Sequence, residues 1–162
     1  MLRPADTGLA GSRRLVAGVA LGGLAISQAI VGCWALLAPR SFYTGFPAAG
    51  HAWVSLLPPY NEHLVRDVGA LSLALTVLLS AAALLPTRPL VRVAGVAFAV
   101  YTIPHTVFHG LHLEGFPSAD AVAQMAGFGV QLLAAAAAVL TTFGQAPAPD
   151  DVAPAATLTP RP

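Results

Sequence analysis

Three histidines, His105, His109 and His112, recur at i, i+4 and i+7 in the stretch YTIPHTVFHGLHLE. An undisturbed helix sets all three on one face. A second polar group stands in NEHLVRD, where Glu62, His63, Arg66 and Asp67 fall within seven residues, Asn61 to Asp67. Glu62 and Arg66 are four apart, as are His63 and Asp67, so each pair can close along one helix. Imidazole and carboxylate together suit Zn, Fe, Mn or Cu. Three readings fit these residues. The leading one is structural, a satisfied network of Asn61, Glu62, His63, Arg66, Asp67 and Gln124 that locks neighbouring helices, because charges at the mouth of an apolar segment normally pair. The second is a site for a transition metal or haem, built from His63, Asp67, His105, His109 and His112. The third is acid–base chemistry with His63–Asp67 as an oriented base. The histidine spacing is not an H-E-x-x-H signature, and no nucleophile motif accompanies it, so the sequence leaves open whether the protein is an enzyme.

The elements that must position these groups are helices in lipid. The chain has 162 residues, of which 56% are hydrophobic and 9% charged. Its mean hydropathy is +0.72, well above that of a soluble domain. All eight basic residues are Arg and the net charge is +1, which excludes a nucleic-acid footprint. Apolar runs predict four helices over about 15–38, 61–85, 90–111 and 119–143, each long enough for a hydrocarbon core of ~30 Å at ~1.5 Å per residue. The fold class expected is all-α, a four-transmembrane-helix antiparallel (up-down-up-down) bundle over 15–143. Residues 1–14 read as a polar cytoplasmic segment without packed structure, and 144–162 as a disordered cytoplasmic tail. Arg3, Arg13, Arg14, Arg88, Arg92 and Arg161 fall on one side of such a bundle, and Arg40 and Arg66 near the other. The positive-inside rule then places both termini in the cytoplasm of a bacterial cell, with the protein multi-pass in the inner membrane. The bilayer is the expected partner, with a homo-oligomer or another membrane subunit as further partners.

Within the helices, Gly18, Gly22 and Gly23 are expected at a close helix crossing, and Gly127 and Gly129 at another. Ser27 and Gln28 sit near mid-membrane and are expected to face other helices, as are Gln124 and Gln131. Pro104 removes a helix bond one residue before His105 and predicts a kink. Between the first two spans, Arg40 to Tyr60 is rich in aromatics and turn formers. It reads as an interfacial anchor, with His51–Leu57 as a short surface helix, and its functional alternative is a lid. His51, Glu114 and Asp120 read as solvated surface groups. Cys33 is the single cysteine, so no internal disulfide forms. Ile30-Val31-Gly32-Cys33 resembles a lipobox, but a retained first helix is the leading reading because the apolar run is long and further spans follow.

With FYTGFP upstream and HTVFHGLHLEGFP downstream, NEHLVRDVGALSLAL resembles a group of actinobacterial four-helix integral membrane proteins, loosely similar to the DoxX-like families. The resemblance covers roughly residues 15–143. It implies a four-helix membrane bundle and carries no activity to particular residues. DoxX-type names suggest quinone or redox involvement, and this chain has no cysteine pair for it. The sequence as a whole points to a small polytopic membrane protein with a polar pocket in its extracytoplasmic half, an accessory or small-molecule-binding subunit, with a metal- or haem-binding oxidoreductase component as the alternative.

Overall fold

A computed structural model describes residues 8, 9, 11–57 and 59–144. The expectation of a disordered tail falls almost wholly outside these residues. Five helices form: α1 (Gly11–Leu37), α2 (Pro39–Gly45), α3 (Glu62–Leu84), α4 (Arg88–Gly110) and α5 (Ser118–Leu140). All but α2 are long and apolar enough to cross a membrane. The chain is a multi-pass membrane protein whose spans form an all-α, four-helix antiparallel bundle. Neighbours in the bundle run α1–α3–α4–α5 and back to α1. The antiparallel sense shows in the contacts, since Arg13 at the start of α1 meets Phe143 beyond the end of α5, and Gly69 early in α3 meets Leu36 late in α1.

The outer faces are as apolar as the inner ones. Val19 is 68% exposed, Val77 71% and Leu133 71%, a pattern that suits hydrocarbon and not water. Inside, Leu21, Leu24, Leu79, Val91, Phe98 and Ala138 pack into one cluster. These residues all belong to the half of the bundle that carries the termini. The opposite half, beneath the 38–61 connection, is not filled in this way.

Of the glycines singled out from the sequence, Gly18 lies at a helix approach, a Cβ there standing 3.5 Å from the Ala83 carbonyl oxygen of α3, and the tightest approaches are at other glycines. A Cβ at Gly69 would stand 2.5 Å from the Leu36 nitrogen, and one at Gly32 would stand 2.8 Å from the Leu73 side chain. Gly95 is likewise covered by Val139. Gly22, Gly23, Gly127 and Gly129 have nothing within 4 Å of where a Cβ would lie. α1 and α3 are therefore close at both ends, and closest near the loop end of the bundle.

Of the segment before α1 the structure describes Gly8 and Leu9, and Leu9 is packed; the rest of the expectation for that segment lies outside the described residues. Leu9 is 5% exposed, and its N–H donates to the Pro86 carbonyl at 3.1 Å. The Pro86 carbonyl at the α3–α4 turn thus gains a donor, and Leu9 buries its apolar side chain. At the same end, Arg92 donates to the Thr142 hydroxyl at 2.8 Å and to its carbonyl at 3.0 Å, and lies over the Phe143 ring. Arg13 and Arg92 thus satisfy carbonyls at the negative end of α5.

Candidate functional site: a cavity in the loop half of the bundle

The site is built from four spans and a folded-in loop. Asn61 caps α3, its side chain accepting from the Leu64 N–H at 3.2 Å. The cap fixes where α3 begins and hence which way its first turns face. Leu64, Val65 and Val68 border the cavity, although Leu64 stays 58% and Val68 40% exposed. Glu62, His63, Arg66 and Asp67 turn away from the cavity. Arg66 pairs with Glu62 at 2.8 Å and His63 with Asp67 at 3.3 Å, all four side chains being well exposed. Arg66 also donates to the Leu36 carbonyl at the end of α1, so this cation ties α3 to α1. The Tyr60 phenol, beside Glu62, titrates above its ordinary 10.0, through desolvation first and then the neighbouring carboxylate.

The structure does not join NEHLVRD to the histidine face. His105 and His109 lie together on α4, ring centroids 4.5 Å apart. His105 stacks on Tyr101 at 5.5 Å, and both imidazoles pack against Phe128 of α5 at 5.2 Å. His112 leaves this face because α4 stops at Gly110. Its Nδ1 lies 2.7 Å from the Phe108 carbonyl, and its ring stacks on Phe108 instead. Among the described residues no three His, Cys, Asp or Glu side chains come together as a metal-holding group. The proposed set His63, Asp67, His105, His109 and His112 is therefore divided between three places. The physical reason is that α3 pairs its charges along its own exposed face and presents aliphatic side chains to α4. Pro104 leaves α4 continuous from Arg88 to Gly110, so it does not separate His105 from His109.

Inward of these rings is a cavity of about 390 Å³. Its walls include Ser27 and Gln28 of α1, Tyr101, Thr102, His105 and His109 of α4, and Gln124, Phe128 and Gln131 of α5. Its roof is the loop. Phe42, Phe46, Trp53, Val54 and Leu57 all line it. Phe42 is 6% exposed, and its ring lies 4.9 Å from that of Phe46, which meets Trp53 edge-on at 6.3 Å. The aromatic loop thus folds over the mouth of the bundle as a lid. Its short helix forms at Pro39–Gly45 instead of 51–57, where turns replace it. Pro39 supplies a pre-set helical φ at the first helical position, whereas Ala52 has a positive φ that interrupts any helix there.

One pair holds the lid to α5. His51 Nδ1 and Asp120 Oδ1 are 2.8 Å apart. Asp120 is 8% exposed, so it is a buried carboxylate and not the solvated group its position suggested. It stands in the first turn of α5, where the helix dipole favours negative charge. No short-range signal marks this pair, since 69 residues separate its members.

Several residues of the lining carry a polar atom that is buried within the wall and has no hydrogen-bond partner. These atoms are Oε1 of Gln28 and of Gln124, Oγ1 of Thr102, Nδ1 of His109 and Nε1 of Trp53. His109 and Gln124 are close enough to interact, yet these two atoms close no bond of good geometry. Gln28, Thr102, His109 and Gln124 are all at least nine-tenths buried. Gln28 lies roughly 13 Å from the end of α1 at about 1.5 Å per residue, close to mid-membrane. An amide there without a partner costs free energy.

No family model, curated protein or solved structure matches the chain. Its chemistry is therefore read from the cavity itself.

Proposed function

We propose that this protein binds a small, largely apolar molecule in the cavity beneath the aromatic lid. It acts as a membrane-embedded binding protein or as the binding subunit of a larger membrane assembly. The observation that carries this reading is the cavity itself, an apolar space with the buried side chains of Gln28, Thr102, His109 and Gln124 among its lining. Small-molecule sites are mostly apolar hollows with a few polar side chains set in their walls, and this cavity has that make-up. The volume lies within the range of small-molecule sites, roughly 300–1,000 Å³.

The arginines support an orientation. Arg13, Arg14, Arg88 and Arg92 stand at the end of the bundle that carries the termini, and Arg40 and Arg66 at the other. On the positive-inside rule the termini are cytoplasmic, in a bacterial inner membrane, and the lid faces outward. The ligand then enters from the outer side or from the outer leaflet.

The test compares the wild type with Gly127→Leu, both purified in detergent and extracted with organic solvent for mass spectrometry. Gly127 lines the cavity and has open space where a side chain would grow, so leucine fills the site. A molecule recovered near one per chain from the wild type, and lost from the variant at unchanged thermal stability, is the expected result. Identical extracts, containing only bulk lipid and detergent, overturn the proposal.

A further inference from the structure

We infer that the ligand is a membrane lipid, one acyl chain of which enters the cavity sideways through a slot between α3 and α4, in the leaflet on the lid side. This deepens the binding role proposed above and rests on it. The first argument is how α3 and α4 come apart. Leu64, Val68, Leu79 and Ala82 follow one stripe of α3, at i, i+4, i+15 and i+18. Leu79 and Ala82 are fully buried, in one packed cluster with Val91 and Ala94 of α4. Further along the same stripe Val68 is 40% exposed and Leu64 58%, yet both border the cavity. The seam is therefore shut in the half that carries the termini and open toward the lid. Side chains that wall the cavity reach the outer surface of the bundle there, and in a spanning helix that surface faces hydrocarbon. The aqueous end is covered instead. Phe42, Phe46, Trp53 and Leu57 roof it, and His51–Asp120 ties the roof to α5.

The second argument is charge. Among the described residues that line the cavity, none is Arg, Lys, Asp or Glu. A charged group brought to this depth would have no counter-ion, and an unpaired charge in low dielectric is strongly disfavoured. A hydrocarbon chain needs none. Its headgroup stays outside, at the level of the exposed His63–Asp67 and Glu62–Arg66 pairs on the first turns of α3.

The third argument is length. The lining runs from Tyr101 to His109 on α4 and from Ala123 to Gln131 on α5, roughly 12 Å along each helix at ~1.5 Å per residue. One leaflet supplies about half of a hydrocarbon core of ~30 Å. The cavity thus extends along the bilayer normal over most of a leaflet, as an acyl chain does. A space continuous with hydrocarbon does not stay empty, because its walls would forfeit their dispersion contacts.

The experiment uses the full chain in detergent micelles and reads indole fluorescence. Trp34 and Trp53 are the only tryptophans, so Trp34→Phe, carried by every protein tested, leaves Trp53 in the roof as the sole reporter. Two quenchers are titrated: a phosphatidylcholine brominated on its acyl chain, and 1-bromonaphthalene as a compact uncharged ring. Saturable quenching by the lipid, complete near one molecule per chain, is expected. Val68→Phe plugs the slot from α3 and Gly127→Leu fills the cavity from α5, and each is expected to raise the lipid needed for half-quenching about tenfold or more. Val77→Phe, on the outer face of α3 away from the cavity, is expected to change nothing. Saturable lipid quenching that neither Val68→Phe nor Gly127→Leu weakens puts the chain elsewhere and overturns the inference. Saturable quenching by bromonaphthalene, with lipid quenching that only rises in proportion to its mole fraction, overturns the acyl-chain assignment while the binding role stands. Saturation by neither quencher overturns the binding role itself.

Discussion

Gly69→Ala is the change that most directly tests how the bundle is held around the cavity. The added methyl would stand 2.5 Å from the Leu36 nitrogen and 2.9 Å from its Cα and Cβ, against an ordinary Cβ contact of 3.4–4 Å. Two of those three atoms are backbone, so no rotamer change relieves the clash. α1 and α3 must separate by roughly 1 Å at this crossing, and dispersion contacts along it fall off steeply over such a gap. Overpacking of this kind costs about 1–3 kcal/mol. Alanine returns up to ~1 kcal/mol in helix propensity. The expected net loss is about 1–2 kcal/mol, which for a chain of this length lowers the thermal midpoint by roughly 2–8 °C. The assay is thermal unfolding followed by size-exclusion chromatography in a single detergent. Gly22→Ala is the control, because its Cβ meets nothing within 4 Å and brings the same propensity gain without a clash. A Gly69→Ala protein as stable as Gly22→Ala would refute the reasoning.

Arg66→Ala is expected to lose more stability than Arg40→Ala, because it strips a donor from Glu62 and from the Leu36 carbonyl, while Arg40 lies over the Tyr60 ring; equal thermal midpoints contradict this. Arg92→Ala frees the Thr142 hydroxyl and carbonyl and is expected to speed hydrogen exchange at the end of α5 several-fold, with other helices unchanged. His51→Ala leaves the buried Asp120 carboxylate without its ring partner, a loss of about 1–3 kcal/mol, and is expected to make the 46–57 segment more open to protease. Protection equal to wild type there shows that the pair does not hold the lid. Zinc or EDTA is expected to leave the thermal midpoint unchanged, since no three-ligand group forms among the described residues; a metal-dependent rise would restore His105 and His109 as ligands.

Some of the candidate site was legible from local pattern. His105 and His109 share a helix face because four residues make about one turn. Gln28 and Gln124 point inward because an amide in hydrocarbon seeks a partner. The rotation of α3 was not legible. In water, hydropathy tells the buried side of a helix from the exposed one. In lipid, both sides are apolar, so Leu64, Val65 and Val68 could not be told from lipid-facing neighbours. The charges at Glu62, His63, Arg66 and Asp67 looked inward-directed only because they were rare. At the first turns of a span they reach the interface and pair with one another.

What the sequence by itself determined is the number of spans, their order and their antiparallel packing. These follow from the length of each apolar run and from the short connections between α3 and α4 and between α4 and α5. The tertiary structure decided where the helices touch, which end is solid and which is hollow, and what closes the hollow end. Those depend on contacts between residues far apart in the chain: Gly69 with Leu36, His51 with Asp120, and Trp53 over the walls of α4 and α5. The histidine face opened as a metal candidate. Folded, it is two imidazoles in the wall of a small apolar cavity, with the charges that seemed to belong to it outside.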